Sequence, residues 1–192
     1  MNLPNKLSLS RIILIPFFIF FYLAEFIPFG KILAIVIFVI ASITDMLDGK
    51  IARKYNLVTN LGKLLDPIAD KLLVVSGLLL VVVDYTIPHP AGVIIAIIII
   101  GRELLISAFR QIAASKNFVM AADVYGKLKT ITQVIALPLL FLLSYLTYNV
   151  NIDETFLLVV KIFAFVMIGI ATLLTILSGA NYIIRNREVL KG

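Results

Sequence analysis

The chain has 192 residues, of which 61% are hydrophobic, and its mean hydropathy is +1.09. A soluble domain of this size needs more polar side chains to cover its surface, so the composition predicts one integral-membrane domain over residues 1–192. The net charge of +6 does not indicate a nucleic-acid partner here, because in a membrane protein the distribution of cations along the chain matters more than their sum. The sequence has no cysteine, which excludes disulfides and thiolate metal ligands.

Apolar stretches of about 20 residues each are long enough to cross the hydrocarbon core of a bilayer as helices. They are continuously apolar rather than alternating, so membrane β-strands are not expected and the predicted class is all-α. In chain order, the six predicted transmembrane helices cover residues 9–29, 31–54, 63–84, 91–114, 125–146 and 156–184. The first stretch lacks a small-x-small cleavage signature, which favours a membrane span over a signal peptide. His89, the single histidine, lies between two prolines and is predicted to be a surface loop residue rather than a catalytic base.

Six spans place both termini on the same side of the membrane. Of the seventeen Lys and Arg residues, Lys31 and Lys161 fall on the other side, and the remaining fifteen lie with the termini. Because cytoplasmic segments carry the excess of Lys and Arg, the side with the termini is predicted to be cytoplasmic.

A polar motif lies where the second and third predicted helices meet on the cytoplasmic side. Carboxylates are costly within a membrane and normally mark functional sites. Asp45 and Asp48 are three residues apart, and Asp66 and Asp70 are four apart, so each pair projects from one helix face. The full pattern is Asp45-x-x-Asp48-Gly49-x-x-Ala52-Arg53, eight residues, then Gly62-x-x-x-Asp66-x-x-x-Asp70.

The short link between these helices makes them antiparallel, so the two carboxylate pairs can converge. Four carboxylates in a small space repel each other unless a hard divalent cation lies between them, and such a site can hold one Mg²⁺-like ion or a pair. The open coordination positions of such a cage suit a substrate diphosphate. Gly49 and Ala52 leave room for a bulky group, and Arg53 can donate to phosphate oxygens. For Asp66 alone, the helix dipole offers a structural explanation that does not extend to the whole pattern.

Every fixed position and both spacings of this motif resemble the signature of the CDP-alcohol phosphatidyltransferases. The resemblance implies a six-span bacterial membrane protein, homodimeric, that transfers a phosphatidyl group from CDP-diacylglycerol to an alcohol and releases CMP. It further implies two Mg²⁺ or Mn²⁺ ions held by the four aspartates, with Asp70 also serving as base for the acceptor hydroxyl. The residues implied in binding the nucleotide and donor are Gly49, Ala52, Arg53, Gly62 and Asn5.

Cations outside the motif bear on the acceptor alcohol. These cations outnumber the acidic residues near them, which favours an acceptor that carries its own phosphate. The cations are Arg110, Lys127, Lys129, Arg102 and Lys63. Family members that use glycerol 3-phosphate are similar to this chain in Gly101-Arg102-Glu103-Leu104, in Gly126-Lys127-x-Lys129-Thr130 and in Pro4-Asn5-x-x-Ser8-x-x-Arg11.

Some of these cations also have structural explanations. Lys127 and Lys129 can snorkel toward the membrane surface. Glu103 and Arg110 are seven residues apart on one helix face and are predicted to pair.

Three other functions remain open. The same chemistry can use another acceptor, such as inositol phosphate or a lipid alcohol. An intramembrane prenyltransferase also uses Asp pairs and Mg²⁺, but its Asp-rich regions would be far apart in sequence. A divalent-cation transporter would need charges to continue across the membrane, whereas the carboxylates of the motif stop at the cytoplasmic end.

Overall fold

The computed structural model describes residues 3–54, 60–115 and 124–186, although some side chains in these ranges, including those of residues 45–54, lie outside the description. Helices account for nearly all of the described residues and no strand occurs among them, which confirms the all-α class. The six helices are α1 Leu3–Leu23, α2 Gly30–Lys54, α3 Asn60–Val83, α4 Ala91–Ser115, α5 Val124–Asn149 and α6 Glu154–Arg185.

The first helix begins and ends about six residues earlier than the sequence predicted. It begins earlier because Asn5 and Ser8 are buried against the bundle, so these polar residues belong to the helix rather than to a tail. It ends at Leu23 because residues 24–29 form successive turns, which hydropathy cannot distinguish from helix when the turn residues are apolar. At the end of these turns a Cβ on Gly30 would lie 2.7 Å from the carbonyl oxygen of Phe21, so the close approach requires glycine.

Four of the helices, α1, α4, α5 and α6, contain stretches long and apolar enough to cross a membrane. Helix α2 adds a shorter apolar stretch, Gly30–Thr44. The protein is therefore a multi-pass helical membrane protein.

The middle of the bundle is an aromatic core. Phe18, Phe38 and Phe141 are fully buried, and each ring centroid lies 5.4 or 5.5 Å from the other two. A Cβ on Gly77 would lie 3.2 Å from Phe141 and 3.3 Å from Phe38, so this glycine lets α3 pack closely on α2 and α5.

A hydrogen-bonded network joins four helices at one end of this core. Asp84, directly after α3, accepts hydrogen bonds from Tyr22 of α1 at 2.8 Å, from Lys31 of α2 at 2.9 Å and from Ser144 of α5. Lys31 also donates to Ser144 at 2.8 Å. Burial raises the pKa of Asp84, but the hydrogen bonds from Ser144, Lys31 and Tyr22 outweigh burial and hold this pKa below its ordinary value of 3.8. We refer to these four residues as the Asp84 network.

We expect Asp84→Asn to lower the free energy of unfolding by about 2 kcal/mol, because the half-buried Lys31 ammonium loses its counter-charge. Since the folded-state pKa is lowered, the contribution of Asp84 is complete above its ordinary pKa and is lost as pH falls through the lower, folded value. Thermal unfolding in detergent should therefore show a smaller loss of stability on acidification for Asp84→Asn than for the parent protein.

The matched control is Glu154→Gln, which alters an exposed acidic residue at the same end of the bundle and should change the unfolding temperature little. Equal effects of the two substitutions would show that the Asp84 network does not stabilise the bundle.

Candidate functional site

A buried lysine lies at the end of the bundle opposite to the Asp84 network. The side chain of Lys129 on α5 is only 1% exposed, and its ammonium donates a hydrogen bond to Glu103 Oε1 on α4. The guanidinium of Arg102 lies 3.8 Å from the other carboxylate oxygen, Glu103 Oε2. Lys129 therefore does not snorkel to the membrane surface but points into the bundle, where Glu103 balances its charge.

Asp70 lies in this neighbourhood as well. Lys129 interacts electrostatically with both Asp70 and Arg102. Asp70 is on α3 and its side chain is half-buried. The structure thus brings the predicted base together with two of the predicted acceptor-binding cations, from three different helices, and we refer to Asp70, Arg102, Glu103 and Lys129 as the Lys129 cluster.

The predicted pairing of Glu103 with Arg110 is wrong. Glu103 pairs with Lys129 and Arg102, while Arg110 Nε donates to the hydroxyl of Tyr182 on α6 at 3.3 Å. The guanidinium also lies 5.8 Å from the centre of the Tyr182 ring. Helical spacing allowed a pair within α4, but partners on neighbouring helices are closer.

Lys127 occupies a different environment from Lys129. Two residues along a helix correspond to a rotation of about 200°, so the two lysines face nearly opposite directions. Lys127 is exposed, and the structure does not bring it into the Lys129 cluster.

Other polar side chains are buried on α5 and α6, and the sequence interpretation did not single them out. Gln133, one turn after Lys129, is 2% exposed, and its Nε2 has no hydrogen-bond partner among the described residues. Thr175 and Ser178 are fully buried and donate to backbone carbonyls of their own helix. These polar residues are spaced along one face of otherwise apolar helices, and this spacing could have indicated their burial from the sequence.

The same helix, α6, also makes room for Arg102. A Cβ on Gly179 would lie 3.2 Å from the Arg102 side chain, so a larger residue there would push against it. Asn5, Ser8 and Arg11 of α1 are likewise buried, which places the three polar residues of the amino-terminal pattern against the bundle interior.

The backbone places the aspartate motif on two adjacent helices. Asp45 and Asp48 belong to the carboxyl-terminal part of α2, and Asp66 and Asp70 to the first turns of α3, which packs against α2. Gly62 is buried. Among the residues whose side chains are described, no three potential ligands form a metal site. The other predicted site residues lie outside those described side chains: Asp45, Asp48, Asp66, Gly49, Ala52, Arg53 and Lys63.

Comparison with known proteins shows the family of the chain. Residues 1–177 match the family model described as CDP-alcohol phosphatidyltransferase. The CDP-diacylglycerol–glycerol-3-phosphate 3-phosphatidyltransferase of Bacillus subtilis is 41% identical, over 99% of this chain and 97% of its own length. The proteins of the same name from Haemophilus influenzae and Rickettsia bellii are 40% and 38% identical, over 100% and 94% of this chain and 94% and 93% of their own lengths.

We expect Glu103→Met to lower the free energy of unfolding by about 3 kcal/mol, because it leaves the Lys129 ammonium buried without its counter-charge. Lys129→Met should also destabilise the protein, but the double variant should be more stable than the sum of the single changes predicts, by at least about 1 kcal/mol. Unfolding in detergent measures all three variants.

Lys127→Met is the matched control, since it removes an exposed lysine from the same helix and should change stability by less than about 0.5 kcal/mol. Strict additivity of Glu103→Met and Lys129→Met would contradict the buried pair.

Proposed function

Because this chain belongs to the CDP-alcohol phosphatidyltransferase family, we propose that it transfers the phosphatidyl group of CDP-diacylglycerol to glycerol 3-phosphate, giving phosphatidylglycerophosphate and CMP. Relatives that align with nearly the whole chain carry this donor and this acceptor in their names. The observation that carries the proposal is the buried, charge-balanced Lys129 within electrostatic range of Asp70. A lysine ammonium can bind phosphate, so this neighbourhood supports the proposal that the acceptor phosphate binds next to the proposed base.

The aspartate motif fits divalent cations by the chemistry of its donors. Asp45 and Asp48 on α2 and Asp66 and Asp70 on α3 supply carboxylate oxygens alone, which Mg²⁺ and Mn²⁺ prefer. In the proposal these four residues hold two such ions. When bound, the ions neutralise charge on the diphosphate of the donor and on the departing CMP.

Asp70 acts on the acceptor. Its carboxylate takes the proton of the glycerol 3-phosphate hydroxyl as the hydroxyl oxygen forms a bond to the phosphorus that carries diacylglycerol. The bond between this phosphorus and the oxygen bridging it to the cytidine phosphate breaks, and CMP leaves with the bonding electrons. Gly49, Ala52, Arg53, Gly62 and Asn5 are proposed to hold the nucleotide end of the donor.

The acceptor phosphate is proposed to bind at Lys129 and Arg102. Both side chains are largely buried, so a phosphate that reaches them is shielded from water and attracted more strongly than at the surface. Glu103 balances Lys129 in the absence of substrate and so keeps its ammonium inside the apolar bundle. Arg110, Lys127 and Lys63 remain proposed contributors to attracting the substrate toward this end of the bundle.

The membrane arrangement completes the proposal. All six helices cross the membrane, with both termini and the aspartate motif on the cytoplasmic side of a bacterial cell membrane. The distribution of Lys and Arg supports this orientation. We also propose a homodimer, which the family resemblance implies. Gly101 and Gly169 have open space around them and could allow close packing of a second copy.

An assay with several different acceptor alcohols tests the reaction directly. Purified protein with CDP-diacylglycerol and Mg²⁺ should release CMP with glycerol 3-phosphate and not with serine, inositol phosphate or a lipid alcohol. Removal of divalent cations by a chelator should abolish release, and their return should restore it. Asp70→Asn should abolish turnover and retain measurable binding of CDP-diacylglycerol.

Release of CMP with another acceptor instead would overturn the acceptor assignment and leave the family chemistry intact. Divalent-cation flux in vesicles without any CMP release would favour a transporter.

Lys129→Met tests acceptor recognition. We expect the KM for glycerol 3-phosphate to rise about 10- to 100-fold, the effect of losing one charged hydrogen bond, with a much smaller change in the KM for CDP-diacylglycerol. Steady-state kinetics with each substrate varied in turn provides the measurement. The control is Lys161→Met, an exposed lysine at the start of α6, and equal increases in both KM values for Lys129→Met would contradict a role specific to the acceptor.

A further inference from the structure

A polar pocket lies at the opposite end of the bundle from the Lys129 cluster. Its volume is about 510 Å³, within the range of roughly 300–1,000 Å³ that is usual for small-molecule sites. Lys31 and Asp84 of the Asp84 network line it, together with Glu25, Tyr145 and Tyr148. Asp70 and Asp84 are about 21 Å apart along α3 at a rise of 1.5 Å per residue, so this pocket is separate from the proposed reaction site.

The pocket carries charges of both signs with an excess of negative charge. Glu25 and Asp84 are the acidic residues in its wall, and Lys31 is the basic one. Asp84 is engaged by three donors, whereas Glu25 is exposed and makes no ion pair within the described part of the chain. Glu25 is therefore available to a positively charged ligand.

Aromatic rings strengthen this preference. The ammonium of Lys31 already lies 5.2 Å from the centre of the Tyr22 ring and 5.5 Å from that of Tyr148, which shows that the tyrosine faces of this pocket accept an ammonium group. Tyr145 adds a further ring to the wall.

Lys31 provides the complementary charge. Two of its three N–H groups donate to Asp84 and Ser144, and no residue in the described ranges accepts the third. A ligand that carries both an ammonium and a phosphodiester would complement the charges of Glu25 and Lys31.

Apolar residues form another part of the pocket wall. Phe29 and Ile27 line it, and Phe26 beside them is 79% exposed. These apolar residues lie at one end of helices that cross the membrane, where lipid head groups and acyl chains meet.

We propose that this pocket binds the head group of a zwitterionic aminophospholipid, with the primary ammonium at Glu25 between the tyrosine rings and the phosphodiester at Lys31. The acyl chains then lie along the apolar rim formed by Ile27 and Phe29. With the proposed orientation, this lipid comes from the leaflet opposite to the aspartate motif. A lipid bound in this site has a structural or regulatory role and is neither the donor nor the product of the proposed reaction.

Native mass spectrometry of the full chain in detergent tests the proposal, with dihexanoyl phosphatidylethanolamine as probe and dihexanoyl phosphatidylmethanol as the matched phosphodiester without an amine. We expect the parent protein to bind the amine lipid about fivefold more tightly, which corresponds to about 1 kcal/mol. Glu25→Gln should remove this preference. Tyr148→Leu should reduce it, since one ring of the ammonium site is lost.

Glu154→Gln is the matched control, because it neutralises an exposed acidic residue at the same end that does not line the pocket, and it should keep the preference. Equal binding of the two lipids by the parent protein, or an unchanged preference in Glu25→Gln, would overturn the site. Equally tight binding of ethanolamine alone would overturn its assignment to a lipid. Lipid that binds in the proposed reaction site is insensitive to Glu25→Gln, so the readout does not depend on the proposed activity.

Discussion

An ionic side chain inside an apolar bundle must find its partner there, because neither lipid nor the packed core can solvate it. Two clusters in the described structure meet this constraint. At one end, Asp84 accepts hydrogen bonds from Tyr22, Lys31 and Ser144. At the other end, Glu103 pairs with Lys129 and Arg102. The aromatic core of Phe18, Phe38 and Phe141 lies between them.

The two clusters differ in what they leave available to a ligand. In the Asp84 network the carboxylate accepts hydrogen bonds from three donors. Most of its hydrogen-bonding capacity is therefore used in joining four helices. In the Lys129 cluster two cations share one carboxylate, and Asp70 lies within electrostatic range. Once Asp70 is engaged by a metal ion, as proposed, the remaining charge is positive and suits the phosphate of an acceptor. The first arrangement favours stability, and the second favours anion binding.

Much of the fold could be predicted from the sequence, because continuous apolar stretches of membrane length allow little besides helices. The ends of α1 could not be predicted from the sequence, because its first residues include buried polar side chains and the turns after Leu23 are largely apolar. In the candidate site, the motif spacing predicted Asp70 and the surplus of cations predicted Lys129, and the structure brings these two residues into one cluster. The partner of Lys129 was missed because it depends on how α4 and α5 are rotated against each other, which helical spacing within α4 does not encode.

The interior between the two ends also bears on the choice between an enzyme and a transporter. A path for a divalent cation needs oxygen ligands at intervals across the membrane. On α5, the buried residues between Gln133 and Ser144 are all apolar: Ala136, Leu137, Leu140, Phe141 and Leu143. At the level of Phe141, the rings of Phe18 on α1 and Phe38 on α2 pack against it. Helix α3 packs closely against Phe38 and Phe141 at Gly77. Along α5 between Gln133 and Ser144, the described buried side chains thus offer no oxygen ligand to a cation, an arrangement that suits chemistry confined to one membrane surface.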